Sequence, residues 1–229
     1  MAKVKMSKNY LSGKEIRAIA RANAKEIKRL EAFKKRKADE AEFLTQMRND
    51  DNILEIDGLH TYFFTEQGVV KAVNGVSYDV PKNAVVGVVG ESGCGKSVTS
   101  MSVMRLIQGP TGQIVDGAIR FKSKEYVLDA AGSPIPKGDG AGEYETVEKI
   151  YDIAQMPTRE IHRIRGKQIA MIFQEPMTSL NPVFTIGQQL DEVTLLHVPG
   201  ATKEMARAKS EDMLRLVGII PENVYHAFP

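Results

Sequence analysis

Residues Val85–Ser97 read VVGVVGESGCGKS, and this segment predicts the fold class of the chain. The apolar run Ala84–Val89 predicts a buried parallel strand, and the segment after it, Gly90–Ser97, matches the pattern G-x-x-x-x-G-K-[ST]. A helix is predicted from Lys96 to about Ile107. A strand, a glycine-rich loop and a helix in this order are typical of a P-loop, which binds nucleotide phosphates.

The loop residues have the chemistry that phosphate binding needs. Glycine allows sharp turns that direct successive N–H groups into one concavity, and the first helical turn adds unpaired N–H groups and the positive end of the helix dipole. Lys96 is expected to reach the β- and γ-phosphates, and the Ser97 hydroxyl is expected to bind Mg²⁺. The predicted nucleotide-binding residues of the loop are Gly90, Glu91, Ser92, Gly93, Cys94, Gly95, Lys96, Ser97 and Val98.

The composition limits the classes of protein to which the chain can belong. It has 229 residues, of which 42% are hydrophobic and 26% are charged, as in an ordinary globular protein. No apolar run approaches the roughly 20 residues of a membrane-spanning helix, and the charged N-terminus does not resemble a signal peptide, so a cytosolic compartment is predicted. The single cysteine excludes an internal disulfide and a cysteine-cluster metal site.

The first 50 residues differ from the rest in charge, because they hold 14 of the 31 Lys and Arg residues but only 7 of the 29 Asp and Glu residues. Ser12 and Glu15 form a capping-box pattern that predicts the start of a basic amphipathic helix. Such a helix could lie on an anionic membrane surface, contact nucleic acid or pack on a neighbouring subunit; the alternative is a solvated, partly frayed extension. This basic segment is expected to be separable from the body of the chain.

The remaining elements are predicted from periodicity and turn residues. Strands are expected at Ile53–Phe64, Val69–Val73, Val76–Val80, Ala118–Phe121 and Ile169–Phe173, of which the last is expected to be buried. Helices are expected from Thr158 to about Arg165, at Ile186–Leu196, and at Lys203–Val217 with Thr202 as its cap and Gly218 after its end. A Gly/Pro-rich loop at 130–143 and an irregular tail from Pro221 complete the chain.

Gln174 follows the last predicted strand and is a second candidate site residue. Its amide can offer an oxygen to a metal ion or water and an NH₂ group to a phosphate, although taken alone a solvated loop glutamine is the commoner interpretation. The surrounding segment 165–182 reads RGKQIAMIFQEPMTSLNP, and it favours the interpretation of Gln174 as a site residue. Together with AVNGVS at 72–77 and the loop at 90–97, it closely resembles the ATP-binding subunits of oligopeptide/dipeptide ABC importers, over roughly residues 52–229.

The resemblance implies roles for particular residues. The loop would be the Walker A motif, and Gln174 would be the Q-loop glutamine, which contacts Mg²⁺ and the attacking water. Lys96 and Gln174 are therefore the expected catalytic residues, and Ser97 and Gln174 are the expected metal ligands. An aromatic residue of the first strand stacks on adenine in that family, which points to Phe63, with Tyr62 as the alternative because a one-residue slip reverses the face. ATP and Mg²⁺ are the implied cofactors.

Cys94 occupies a loop position where that family often has serine. One interpretation is a small residue that the loop tolerates. The other is a reactive thiol, because it lies close to a helix N-terminus and to Lys96.

The resemblance also implies partners and a location. The region Gln174–Asn181 would contact membrane permease subunits, and a second ABC ATP-binding subunit, identical or different, would complete a dimer. The chain would then lie in the cytoplasm, peripheral on the inner face of the cell membrane, with no membrane span of its own. The basic segment also suggests a nucleic-acid-associated ABC ATPase, but the importer-like MTSLNP run at 177–182 argues against it, so no nucleic-acid partner is expected.

The departures from the family pattern are as informative as the matches. The 229 residues stop just before the LSGGQ-type signature and contain no Walker B carboxylates, D-loop or switch histidine, so an incomplete ABC domain is predicted. The expected fold is an α/β P-loop core with an antiparallel β-subdomain and the start of an α-helical subdomain. The expected domains are 1–50, a basic helical extension, and 51–229, the first two-thirds of the ATP-binding domain, with an insertion at about 122–157 and the helical subdomain from about 175.

Two functions follow from this reasoning. The first is the ATP- and Mg²⁺-binding part of an ABC ATPase that energises peptide import across the cytoplasmic membrane. The second is a non-catalytic nucleotide-binding or interaction fragment from a truncated or split gene. The 229-residue chain alone is expected not to hydrolyse ATP, because the carboxylate that orients water is missing.

Overall fold

The computed structural model describes residues 11–138, 144–174 and 179–229. They fall into two compact units. The first contains the described residues up to Glu125 together with Glu148–Ile161, and the second contains those of Tyr126–Val147 and His162–Pro229. The glycine-rich loop therefore belongs to the first unit, and Gln174 belongs to the second.

Helix α1 spans Gly13–Lys35 and begins with the predicted capping box of Ser12 and Glu15. Its inner face packs on the remainder of the first unit, where the buried Asn23 amide donates a 2.9 Å hydrogen bond to the Thr65 carbonyl oxygen. The prediction that the basic segment is separable from the body is therefore wrong. The helix satisfies a backbone carbonyl of the sheet and buries one of its own faces there.

Most of a four-stranded sheet with the strand order β2-β1-β3-β4 lies in the first unit. The strands are β1 Asn52–Thr65, β2 Gly68–Pro81, β3 Gly112–Tyr126 and β4 Thr146–Asp152. β1 pairs antiparallel with both β2 and β3, which confirms that antiparallel strands precede the loop. The two strands predicted on either side of Gly75 are one irregular strand, in which Gly75 adopts a φ of +77°.

The segment between β3 and β4 is more regular than the predicted Gly/Pro-rich loop. Leu128 bridges Pro134, and Pro136 bridges Tyr144, both in antiparallel fashion. The ring of Tyr126 also packs edge-on against Tyr144, with centroids 5.3 Å apart. Residues 139–143 of the predicted loop lie outside the described residues.

Helix α2, Lys96–Val103, belongs to the first unit. The second unit contains three helices among its described residues: α3 Ile186–His197, α4 Lys203–Leu216 and α5 Pro221–Val224. α3 and α4 confirm the predictions, and the Thr202 hydroxyl caps α4 by accepting a hydrogen bond from the Met205 N–H. α5 corrects the predicted irregular tail, since Pro221 begins a short helix there. The prediction of a helix from Thr158 to about Arg165 is wrong, because these residues form only a 3₁₀ turn at Ile161–Arg163.

Two apolar segments that the sequence predicts as buried strands, the first of them parallel, form no strand. Ala84–Val89 pairs with none of the described strands, and Val85 is 100% exposed. Ile169 makes a single bridge to Arg165, and Ile172 is 95% exposed. A buried parallel strand needs paired neighbours and helices on both faces of its sheet. The described sheet supplies no such neighbours, so both predictions are wrong for this chain.

Candidate nucleotide-binding site

The loop is set against β2 by a glycine that no other residue could replace without strain. Gly95 has a φ of +97° and forms the N-cap of helix α2, Lys96–Val103. A Cβ atom at Gly95 would lie only 2.3 Å from the Ala72 carbonyl oxygen. Both the backbone conformation and the available space therefore require glycine at this position.

The Lys96 ammonium lies within the curve of the loop. It donates hydrogen bonds of 2.7 Å to the carbonyl oxygens of Gly90 and Glu91, and it is 3.6 Å from the Cys94 sulfur. A positive charge is thus held where the loop carbonyls converge. An anion bound in the loop would meet this charge, as the sequence predicts for a phosphate-binding lysine.

The start of α2 adds unpaired donors at the same place. Gly95 has no side chain to cap the helix, and the first bond of the helix is the one from Thr99 N–H to the Gly95 carbonyl oxygen, 2.9 Å. Within the described part of the chain, the N–H groups of Lys96, Ser97 and Val98 have no acceptor. Such donors, together with the helix dipole, fit an anion.

Ser97 fits the role of a metal ligand by its chemistry. Its side chain is exposed, and its hydroxyl hydrogen-bonds to none of the described residues. A free hydroxyl oxygen beside bound phosphates is a suitable ligand for Mg²⁺, which prefers oxygen donors and usually takes few from the protein.

Helix α2 is fixed to the sheet by a hydrogen bond between two buried hydroxyls. Thr61 Oγ1 on β1 lies 2.8 Å from Ser102 Oγ, and Ser102 Oγ itself donates to the Val98 carbonyl oxygen at 2.7 Å. Because the single proton of Ser102 is used there, Thr61 is the donor of the pair. Neither residue was predicted from the sequence. The sequence feature that could have indicated this pair is a hydroxyl residue in the middle of a buried strand, opposite a serine on the inner face of a helix.

The helix is shorter than predicted, because it ends at Val103 rather than near Ile107. Arg105 follows with a φ of +52°, and its guanidinium donates to the carbonyl oxygens of Ile153 and Ala154 at 2.7 and 3.0 Å. The backbone conformation of Arg105 ends the helix, and its hydrogen bonds hold the C-terminal end of α2 to the residues that follow β4.

The two candidate adenine-stacking residues point to opposite faces of β1. The Tyr62 hydroxyl donates to Asn74 Oδ1 at 2.7 Å. Phe63 shares the face of Thr61, which contacts α2, and a Cβ atom at Gly112 would lie 2.9 Å from its ring. The face of β1 that carries the loop helix therefore presents Phe63, whereas Tyr62 is engaged on the other face.

Gln174 is exposed and belongs to no helix or strand of the second unit. Its contacts with a metal and with the residues of the loop remain predictions. Of the predicted permease-contacting region, residues 175–178 lie outside the described residues. Asn181 is held to α3 by Gln189, whose Oε1 accepts from the Asn181 N–H at 2.8 Å and whose Nε2 donates to the Asn181 carbonyl oxygen at 3.0 Å.

A glycine-rich loop between a sheet and a helix, with a lysine at the first helical position, defines a P-loop nucleotide-binding protein. Comparison with known proteins narrows the class, because residues 73–226 match the family described as ABC transporter. This chain belongs to that family. In keeping with it, the structure is an α/β fold with an antiparallel sheet beside the P-loop, as the sequence predicts.

Two curated relatives from Bacillus subtilis are ATP-binding proteins of peptide transport. The oligopeptide transport ATP-binding protein AppD is 39% identical over 166 residues, which are 72% of this chain and 42% of the relative. The dipeptide transport ATP-binding protein DppD is 40% identical over 169 residues, which are 74% of this chain and 42% of the relative. The chain thus spans about two fifths of the length of these relatives.

A solved structure supports the fold. The dimeric post-hydrolysis state of an ATP-binding cassette with ADP and Pi matches with a TM-score of 0.54 at 16% identity, covering 77% of this chain and 61% of that one. Among the described residues, no helix has both the length and the apolar character needed to cross a membrane.

Proposed function

We propose that this chain is the ATP- and Mg²⁺-binding part of an ABC system that energises the import of peptides across the cytoplasmic membrane. The observation that carries the proposal is the convergence of the Lys96 ammonium and three unpaired N–H groups at the start of α2. That arrangement suits a polyphosphate. The names of the relatives AppD and DppD supply the substrate class.

Each predicted residue has a role in this proposal. Lys96 and the loop N–H groups bind the β- and γ-phosphates, and Phe63 stacks on adenine, which is supported by its place on the face of β1 that carries α2. Ser97 and Gln174 hold Mg²⁺ through their side-chain oxygens. Bound Mg²⁺ would neutralise part of the negative charge on the phosphate oxygens.

The partners follow from the family. We infer that the Gln174–Asn181 region contacts permease subunits and that a second ABC ATP-binding subunit, identical or different, completes a dimer. The protein then works in the cytoplasm, on the inner face of the membrane. The clamp of Gln189 on Asn181 supports this role, because it fixes one end of the contact region to a helix.

We further propose that the 229-residue polypeptide, by itself, does not turn over ATP. Its sequence offers the phosphate loop but no Walker B carboxylate, signature or switch histidine. Losing a group that stabilises the transition state costs ~10²-fold or more in rate. The second candidate function, a non-catalytic nucleotide-binding or interaction fragment, is favoured by the exposure of Val85 and Ile172, because the described sheet does not include the two apolar segments to which they belong.

Two measurements on monodisperse protein test these proposals together: retention of radiolabelled ATP with Mg²⁺, and release of inorganic phosphate. We expect retention of ATP, and no phosphate release above that of a Lys96→Ala preparation, which serves as the contamination control. Absence of ATP retention by folded protein would overturn the nucleotide-binding role. Lys96-dependent turnover near ~1 s⁻¹, the low end of ordinary enzyme rates, would overturn the proposed incompetence.

A further inference from the structure

Helix α1 carries a straight line of positive charge on its outer face. Its members are Lys14, Arg17, Arg21, Lys25, Lys28 and Lys35, all of which are exposed. With 3.6 residues per turn they fall within a sector of about 80°, and they span roughly 30 Å at a rise of 1.5 Å per residue. We call these six residues the basic stripe.

The basic stripe lies opposite the face by which α1 packs on the remainder of the first unit. Asn23 and Leu30 are the buried residues of the helix, and they lie about 160–180° around the axis from the centre of the stripe. Ile19 and Ile27, on either side of them, are half-buried. The apolar face is therefore occupied by the protein, and what α1 offers to a partner is charge.

The protein leaves most of this charge uncompensated. Lys35 pairs with Glu31 across 3.4 Å, whereas the other five cations of the basic stripe form no salt bridge with a described residue. Glu26 lies about 140° around the axis from the centre of the stripe and is bound to Arg29 at 2.6 Å. Five like charges in a row on one rigid helix repel each other, which an anionic partner would relieve.

The shape of the basic stripe favours a flat partner. Charges within one narrow sector of a straight helix can all approach a plane together. The residues between them on this face are small, namely Ala18 and Ala32, and offer neither the hydrogen-bonding groups that read bases nor aromatic rings that stack on them. We propose that the basic stripe adsorbs to the anionic phospholipid headgroups of a membrane surface, an inference that rests on the membrane location in the proposed function.

Adsorption of this kind is electrostatic. It requires no insertion of apolar side chains, which suits a helix whose apolar face is occupied. Each Lys or Arg near an anionic bilayer adds to the attraction, and the attraction is screened by salt over the Debye length. Neutralising three of the six cations is therefore expected to weaken binding by about 10-fold or more.

The test is co-sedimentation of the 229-residue protein with vesicles of 30 mol% phosphatidylglycerol in phosphatidylcholine, compared with pure phosphatidylcholine. The stripe variant is Lys14→Gln/Arg21→Gln/Lys28→Gln. A matched control, Lys82→Gln/Lys203→Gln/Lys209→Gln, removes the same charge from exposed lysines outside α1. Glutamine is chosen because its helix propensity is close to that of lysine and arginine.

We expect the wild type and the control to bind phosphatidylglycerol vesicles at 0.1 M salt and to release them at 0.5 M, and the stripe variant to bind at least about 10-fold more weakly. Equal vesicle binding by stripe variant and control would overturn the proposal. Stripe-dependent binding to a 20-base-pair DNA duplex that exceeds vesicle binding at the same salt would overturn it in favour of nucleic acid. Retention of ATP by all three proteins separates this result from any failure of the proposed function.

Discussion

The Thr61 hydroxyl donates a 2.8 Å hydrogen bond to the Ser102 hydroxyl, and both side chains are fully buried. The bond joins the centre of β1 to the inner face of α2. Phe63 lies two residues further along the same face of β1, so the helix that carries the phosphate loop and the candidate base-stacking ring are held by one strand. A buried hydrogen bond of this kind restricts how far the helix can move relative to the sheet.

Gly95→Ala is expected to destabilise the first unit. The substitution puts a Cβ atom at a φ of +97° and 2.3 Å from the Ala72 carbonyl oxygen, so backbone strain and a steric clash add together. We expect a loss of about 2 kcal/mol or more in the free energy of unfolding, measured by urea titration. Gly93→Ala is the control, because its φ is +78° but no atom lies within 4 Å of the added Cβ. Equal losses in the two variants would contradict the close approach to β2.

Phe63→Ala is expected to weaken ATP binding by about 10-fold, since base–aromatic stacking contributes ~1–3 kcal/mol. Binding of inorganic triphosphate should be unchanged, because it has no base. Tyr62→Phe, which removes only the hydroxyl bonded to Asn74, should leave both affinities unchanged. Competition against a fluorescent ATP analogue measures all three. A loss with Tyr62→Ala and none with Phe63→Ala would assign the stacking role to Tyr62.

Cys94 is the only cysteine of the chain, and it is exposed. Its sulfur lies 3.6 Å from the Lys96 ammonium, within the loop that is proposed to wrap the phosphates. ATP–Mg²⁺ is therefore expected to slow the labelling of this thiol by a maleimide, whereas AMP, which lacks the β- and γ-phosphates, should protect less. Identical labelling rates with and without ATP in folded protein would show that the loop does not close on a phosphate.

Glu55 makes the stability of the first unit dependent on pH. Its burial opposes ionisation, but hydrogen bonds from the N–H groups of Arg48 and Asn49 and from the Asn52 amide hold its pKa below the ordinary value of 4.5. A depressed folded-state pKa contributes stability above the unfolded pKa, and this contribution is lost as the pH falls through the folded pKa.

Glu55→Gln should therefore lower the free energy of unfolding at pH 7 by about 1–3 kcal/mol and flatten its fall below about pH 4.5. The exposed Glu66→Gln is the control and should change neither. Urea titrations from pH 3 to pH 7 measure both effects. An unchanged pH profile in Glu55→Gln would mean that another carboxylate is responsible.

Elements that are encoded locally were predictable from the sequence. The cap at Thr202, the capping box at Ser12 and the glycines of the phosphate loop act within a few residues of themselves, so their patterns predict their structure. The contact of Lys96 with the β- and γ-phosphates stays a prediction.

Elements that depend on distant neighbours were not predictable in this way. Ala84–Val89 has the composition of a buried parallel strand, but composition cannot supply the strands beside it, and Val85 is fully exposed. For α1 the prediction failed in the opposite direction, because a segment expected to be separable packs on the sheet. Its charge suggests a free extension, while the bond from Asn23 to Thr65 joins residues 42 positions apart in sequence.

Lys96 and the start of α2 are proposed to bind the phosphates of ATP, and isothermal titration calorimetry of ATP–Mg²⁺ measures this binding. Lys96→Ala removes the ammonium within the loop, and Lys82→Ala is a matched control that removes an exposed lysine of the same unit. We expect Lys82→Ala to bind ATP like the wild type and Lys96→Ala to bind at least ~10-fold more weakly, because a hydrogen bond to a charged group is worth ~1.5–3 kcal/mol. Equal ATP affinity of the wild type and a folded Lys96→Ala protein would contradict it.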